Sequence, residues 1–375
     1  MESRFSYWEN NTFFNNIDLL VIGSGIVGLN AALNYKTTYP KHKVIVIERG
    51  VLPNGASTKN AGFACFGSPS ELLDDLKTSS EDNVFALVEK RWKGLQELRT
   101  LIGDENLDFQ NNFGLELFTE NNTELYQECV NKIDYLNQQT SKITGPNTYS
   151  IVSNSYGFHK ISGIIKNQYE GQIDSGKMMS KLTQLVIEKG IHIINNTSVD
   201  SIHDNGNEVE VEINTNTTGI LKPKKVIVAT NGFAKSLLNL DVEPARAQVL
   251  ITKPIENLPF KGTFHYDKGY YYFRNIHNRV LFGGGRNLDF KGENTTEIKT
   301  TELIIDELKR LLKEVILPST PFEVDYTWAG IMGVGNTKES IVKHYSENIV
   351  CAVRMGGMGV AIGSLIGKEA AELLK

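Results

Sequence analysis

The chain has 375 residues, 40% of them hydrophobic and 22% charged, with a formal net charge of -5. That balance excludes a disordered chain, a collagen-like repeat and a disulfide-rich miniprotein, and at about 150 residues per domain it allows two or three domains. A general nucleic-acid binder is excluded too, because neutralising phosphates requires a basic face. The cysteines Cys65, Cys129 and Cys351 are scattered without metal-binding spacing, as expected in a reducing compartment. The N-terminus lacks the basic-then-apolar order of a signal peptide, and no apolar run is long enough to cross a bilayer. The expectation is a cytoplasmic enzyme.

Residues 17–22 (IDLLVI) form a nearly unbroken apolar run, expected of a strand covered on both faces. It enters Gly23-Ser24-Gly25-Ile26-Val27-Gly28, after which apolar residues recur at helical spacing until Pro40 stops the helix. A second strand over 44–47 ends at Glu48 and completes a β-α-β unit. Residues 53–70 read as a long Gly/Ser/Asn/Pro-rich loop, and 85–102 as an amphipathic helix. The polar, Asn-rich stretch 104–160 gives no clear order of elements. A helix then carries the stripe Met178, Met179, Leu182, Leu185 and Val186 and stops at Gly190. A strand over 191–194 follows, and a strand pair at 208–213 and 225–229 leads to Thr230-Asn231-Gly232. Beyond Pro244, strands are predicted over 247–252, 262–266, 269–274 and 280–283, with Asn278 and Arg279 in a hairpin turn. A helix over 303–315 interrupts them. The α/β texture returns with a strand over 349–353, the turn Gly356-Gly357-Met358-Gly359 and a final helix. An α/β fold is thus split by a β-rich insertion.

The turn Gly23/Gly25/Gly28 carries the strongest chemical implication. The first glycine permits a tight turn, the second lets the backbone approach a pyrophosphate, and the third lets helix pack on strand. Free amides and the positive helix end then face the anion, and Glu48 is placed to accept both hydroxyls of an adenosine ribose. FAD and NAD share this fingerprint. A second glycine turn opening a helix at the far end of the chain favours FAD, because a helix N-terminus stabilises the negative charge of a reduced flavin.

Several segments together resemble the D-amino-acid-oxidase superfamily: IDLLVIGSGIVGLNAAL, ERG at 48–50, GASTKNAGF at 55–63, VIVATNGFA at 226–234, YYYFR with RVLFGGGR at 270–286, and RMGGMGVAIGSLIGKEAAELL at 354–374. The likeness spans essentially the whole chain and is greatest to the branch of amine and amino-acid enzymes such as glycine oxidase, D-amino-acid dehydrogenase and γ-glutamylputrescine oxidase. It implies a discontinuous Rossmann-type FAD-binding domain (1–85, 166–232 and 326–375) and an α+β substrate domain with a large antiparallel sheet (86–165 and 233–325). It also implies FAD as cofactor, a small-molecule amine or amino acid as substrate, and oxygen or another electron acceptor. By the same resemblance Gly23, Ser24, Gly25, Ile26, Val27 and Gly28 form the pyrophosphate turn, and Glu48 and Arg49 meet the adenosine. Ser57, Thr58, Lys59, Asn60, Ala61 and Gly62 would form the loop under pyrophosphate and isoalloxazine, and Val199 the clamp on adenine. Ala229, Thr230 and Asn231 would lie near the pyrophosphate, and Gly330, Ile331, Gly357, Met358, Gly359, Val360 and Ala361 at the flavin ring.

The sequence also departs from that pattern. Relatives place a carboxylate-binding arginine or a flavin-linking cysteine just after Trp-x-Gly, whereas Trp328-Ala329-Gly330-Ile331-Met332 has neither. Non-covalent FAD is therefore expected. Leu281 stands where sarcosine oxidase has its oxygen-activating lysine, so fast oxidase behaviour does not follow. Candidate substrate-side residues are Tyr272, of which the alternation of Tyr270, Tyr271 and Tyr272 allows at most two to share a cavity, and the arginines Arg274, Arg286 and Arg354, able to hold a carboxylate. His159, His265 and His277 show no metal spacing and are expected in structural or exposed roles. The expected function is oxidation of a C–N bond. A 2-hydroxy-acid or alcohol dehydrogenase with a histidine base, or a flavoprotein subunit without its own substrate, are the alternatives.

Overall fold

The computed structural model describes residues 5–215 and 218–375. A six-stranded sheet is built from both ends and the middle of the chain. The strand Leu19–Ile22 lies between Val44–Ile47 and Lys225–Val228, and Ile349–Val353 follows on the far side, all parallel. His192–Ile194 extends one edge in parallel and Ile341–His344 closes the other antiparallel. The inner strands are buried along their length, which is why they read as unbroken apolar runs rather than alternating ones.

Helices Ile26–Thr38, Ser175–Glu188 and the C-terminal Gly359–Glu372 cover one face of this sheet, and Glu81–Ile102 packs on the C-terminal one. Ile26–Thr38 and Gly359–Glu372 touch backbone to backbone. A Cβ on Gly367 would lie 2.5 Å from the Val27 carbonyl oxygen, so only glycine permits this approach. The other face packs on a three-stranded sheet of Ser198–Asp204, Val209–Asn214 and Thr218–Leu221.

The second large sheet has eight strands, antiparallel except where Thr263–Tyr266 runs parallel to Gly114–Thr119. One face is an aromatic core in which Phe264 stacks on Phe273 at 4.7 Å and Tyr266 on Tyr271 at 4.9 Å, closed by helix Glu302–Leu311. The opposite face looks toward the parallel sheet.

Several sequence expectations need correction. The segments 208–213 and 225–229 do not pair: Val209–Asn214 belongs to the three-stranded sheet and Lys225–Val228 to the parallel one. The loop over 53–70 holds a short helix Ala56–Lys59, a strand Phe63–Ala64 and the start of helix Pro69–Asp75. Residues 104–160 contain the strand Gly114–Thr119 and the helix Thr123–Thr140. The hairpin turn falls on His277 and Asn278, because Arg279 already pairs with Ile276. Helix Glu81–Ile102 runs through the boundary drawn at 85/86, and strand Val324–Val334 carries the eight-stranded sheet past the one at 325/326.

Candidate functional site

The turn after the first strand is shaped by its glycines. A Cβ on Gly28 would lie 1.9 Å from the Gly23 carbonyl oxygen, so strand end and helix start meet with no room for a side chain. The Ile26 amide donates to Ser57 Oγ at 2.9 Å, while those of Gly25, Val27 and Gly28 belong to the first turn and have no intrahelical acceptor. Glu48 is fixed beside them: its Oε2 accepts from Ser24 Oγ at 2.7 Å and its Oε1 from Gly50 N at 2.9 Å. Arg49 lies 3.7 Å over the Phe233 ring, and burial lowers its pKa.

At the other end of the chain, Arg354 (φ 66°), Gly356 (φ 57°) and Gly357 (φ 84°) turn strand Ile349–Val353 into the last helix. Asn231 Oδ1 holds this turn, accepting from the Arg354 and Met355 amides at 3.1 Å each. Both helix starts open onto one cavity of about 730 Å³, toward the upper end of small-molecule sites. The wall runs from Gly23, Gly25 and Val27 through the loop at Ser57 and Lys59 to Gly357–Ala361. Two positive helix ends thus converge on one volume, an arrangement suited to anionic groups.

A row of residues runs across the eight-stranded sheet, and His265, Tyr272 and Val249 of it line the same cavity. In register lie Glu116, His265, Tyr272, Gly283, Val249 and Trp328. Gly283 makes room for the tyrosine: a Cβ there would lie 2.6 Å from Tyr272 Cε2. Trp328 Nε1 donates to Lys59 O at 3.0 Å and ties the sheet to the loop. Burial raises the Tyr272 hydroxyl to about 12 and lowers His265, leaving a neutral imidazole. Tyr270 and Tyr272 line the cavity while Tyr271 turns into the aromatic core.

Of the candidate cofactor and substrate residues named from the sequence, Ser24, Gly28, Thr58, Gly62, Arg274 and Arg354 are not part of the cavity wall, and the other candidates are. Ser24 and Gly28 lie behind the turn, and Thr58 faces outward with its hydroxyl on Pro53 O at 2.6 Å. Arg274 shares the face of Tyr272 but is buried against the Gly62 loop, Nη1 donating to Gly62 O at 3.3 Å, and burial brings it down to about 10. Arg354 points away altogether: it pairs with Asp241 at 2.6 Å and donates to Glu339 O at 2.8 Å and Thr337 Oγ1 at 2.9 Å. It braces the glycine turn and is no substrate arginine. Arg286 reaches the cavity, half-buried over Phe290 at 5.1 Å, with Nε buried and unpartnered.

Sequence reasoning missed Glu71, Phe63, Phe233, Thr197 and Lys338 as wall residues, and gave His265 no role there. His265 is recoverable: once Tyr266 is paired with Tyr271, His265 must face Tyr272.

Behind the wall, Glu116 and Glu170 are buried near Glu71. Burial raises them to about 7 and about 8, although Ser70 donates to Glu116 and Phe66 N to Glu170 at 2.8 Å. In the unfolded chain both release protons near the ordinary 4.5, so the folded state binds more protons across this interval. Their contribution to stability is complete below about 4.5 and declines as pH rises through 7 and 8. Denaturant midpoints at pH 5 and pH 8.5 should therefore differ less for Glu116→Gln than for the parent. An equal drop in both contradicts the assignment.

Residues 18–373 match the family described as DAO, FAD dependent oxidoreductase. The chain belongs to this family. A curated relative, "Probable oxidoreductase OrdL" of Haemophilus influenzae, is 23% identical over 390 residues, 97% of this chain and 84% of the relative. Among solved structures, a glycine oxidase from Bacillus cereus has a TM-score of 0.75 at 15% identity, covering 96% of this chain and 94% of its own. An L-proline dehydrogenase from P. horikoshii has a TM-score of 0.74 at 18% identity, covering 96% and 93%. The protein is thus an FAD-dependent oxidoreductase, and the cavity fits its cofactor by observation: amides at a Gly-x-Gly-x-x-Gly turn, an oriented carboxylate at the end of the second strand, and a second helix start opposite. No helix among the described residues is long and apolar enough to cross a membrane.

Proposed function

We propose that the protein oxidises the C–N bond of an amine or amino acid to an imine, which water hydrolyses. One observation carries this reading: the cavity walled by the N-terminal glycine turn and the C-terminal helix continues to Tyr272 and Arg286 on the sheet face. Its structural neighbours include enzymes titled glycine oxidase and L-proline dehydrogenase, which supports a small amino compound as substrate.

In this reading the Gly23–Gly28 turn and the Thr230–Asn231 segment hold the diphosphate, and Glu48, Arg49 and Val199 the adenosine. Lys59, Gly330 and the segment Gly357–Ala361 border the ring. Bound FAD supplies the two-electron acceptor for the hydride released from the substrate carbon. No cysteine lies in Trp328–Met332, and burial keeps the Cys65 thiol protonated, so FAD is held non-covalently. Arg286 holds a substrate carboxylate and Tyr272 packs against the substrate body. Exclusion of water strengthens each polar contact there. Leu281, buried with Ala61 and Val249 where an oxygen-activating lysine would stand, favours an acceptor other than oxygen.

The test is anaerobic mixing of the yellow protein with glycine, sarcosine, L-proline and D-alanine, and separately with 2-hydroxy acids. Bleaching by an amine supports the reading, and bleaching by hydroxy acids alone overturns it. The neutral His265 in the wall is what a hydroxyl-oxidising enzyme would need as base, so that second reading has a specific residue behind it. With an amino-acid substrate, Arg286→Met should raise KM by about tenfold to a hundredfold, the worth of a charge-assisted pair, with the flavin spectrum unchanged. An unaltered KM removes Arg286 from the site.

A further inference from the structure

Several charges around the cavity already have partners. Asp74 pairs with Lys268 at 2.8 Å and Lys338 with Asp75 at 2.6 Å, and Glu48 is occupied by Ser24 and Gly50. Glu71 differs. Its Oε2 accepts from Ser68 N at 3.2 Å and Ser68 Oγ at 2.9 Å, a capping box that fixes the carboxylate at the first turn of helix Pro69–Asp75. Its Oε1 accepts no hydrogen bond among the described residues, and Glu71 lines the cavity. Gly269 lies against this oxygen: a Cβ there would be 2.9 Å away, at a φ of 80° that already favours glycine.

His265 lines the same cavity, its ring meeting Phe63 edge-on at 4.9 Å, and its titration responds to the Glu71 charge. Burial keeps the imidazole neutral near pH 7. Glu116 and Tyr272 are its register neighbours on either side, and Lys338 and Arg91 act on Glu71 from other elements. A neutral base and an anion with one oxygen free of hydrogen bonds among the described residues thus line one cavity, the base in register with Tyr272.

We propose that Glu71 and His265 form a cation-receiving pair: Glu71 binds the substrate's ammonium group, and His265 takes one proton from it to deliver the neutral amine. The assignment rests on the amine reading above. One N–H bond breaks, its proton bonds to the imidazole lone pair, and the bonding electrons stay on the amine nitrogen as a lone pair. The imidazolium so formed is balanced by Glu71, and no oxidant or reductant enters this step. A hydroxy acid has no cation and gains nothing from Glu71, so the pair selects amines.

Glycine betaine tests the cation site apart from turnover, since it carries a permanent cation and a carboxylate but no N–H. Calorimetric titration of the holoprotein should show binding that E71Q weakens by about tenfold or more. Gln keeps the capping box, and an unchanged flavin spectrum confirms the fold. H265Q should leave betaine affinity within about threefold but move the pH limb of kcat/KM for sarcosine or L-proline upward by more than about one unit. No betaine binding to the parent, equal binding to E71Q, or superimposable pH profiles overturn the proposal. If no amine bleaches the flavin, the amine reading fails, while the betaine titration still decides whether Glu71 holds a cation.

Discussion

Gly28→Val should give a colourless protein. The added Cβ would lie 1.9 Å from the Gly23 carbonyl oxygen and 3.1 Å from its carbon, both backbone atoms. Gly23 cannot retreat, because its amide is bonded to Ile47 O at 2.9 Å and the next strand is fastened by Ala229 N on Ile22 O at 2.9 Å. The remaining escape is to lift the helix start, which displaces the amides of Gly25 and Val27 from the cavity. Overpacking typically costs about 1–3 kcal/mol when side chains can adjust, and here none can. The absorbance of the purified variant at equal protein concentration is the check. A yellow protein with full FAD occupancy contradicts the role given to the turn.

Glu293→Gln should lower stability by about 3–5 kcal/mol, the usual result of leaving one member of a buried ion pair without its partner. Arg246 and Glu293 side chains are 4% and 2% exposed. The guanidinium is gripped at two points, Nε on Oε2 at 2.9 Å and Nη2 on Oε1 at 2.6 Å, and Gln248 Nε2 adds a third donor at 2.9 Å. With the charge removed, Arg246 stays cationic in a buried site. This pair ties the segment after Arg286 to strand Glu243–Thr252, so a weaker tie also loosens Arg286. The exposed pair Lys253–Glu323 is the control: Glu323→Gln should leave the denaturant midpoint nearly unchanged, because solvent screens an exposed pair. Equal effects at the two sites contradict the account.

What the sequence disclosed, and what it hid, follows from how far each feature depends on distant residues. The glycine turn, Glu48 and the last helix are local demands of backbone geometry, so their order along the chain suffices to read them. The helix Thr123–Thr140 buries only Cys129, Leu136 and Thr140, too thin a stripe to stand out among asparagines and glutamines. The strand beside it, Gly114–Thr119, finds its parallel partner in Thr263–Tyr266, far along the chain. Val209–Asn214 alternates between buried and exposed whereas Lys225–Val228 is continuously buried after its first residue. That contrast marks an open-faced sheet against an enclosed one, and reading the two as a strand pair overlooked it.

The arginines make the same point at the site. From sequence, Arg274, Arg286 and Arg354 are equivalent charges near glycines or strand ends. Asp241 draws Arg354 away, the Gly62 carbonyl takes Arg274, and only Arg286 is left facing the cavity. Glu71 escaped attention because the sequence reading ended a loop at Ser70 and placed no element on the residues after it, and only the fold shows Glu71 in the wall of a ligand-sized space.

The central claim is that the two ends of the chain share one FAD. Hydrogen exchange measured on FAD-stripped and FAD-loaded protein tests it most directly. Protection on loading is expected in peptides covering both 23–28 and 357–361. Protection confined to the N-terminal peptide, with 357–361 exchanging equally in both forms, contradicts it.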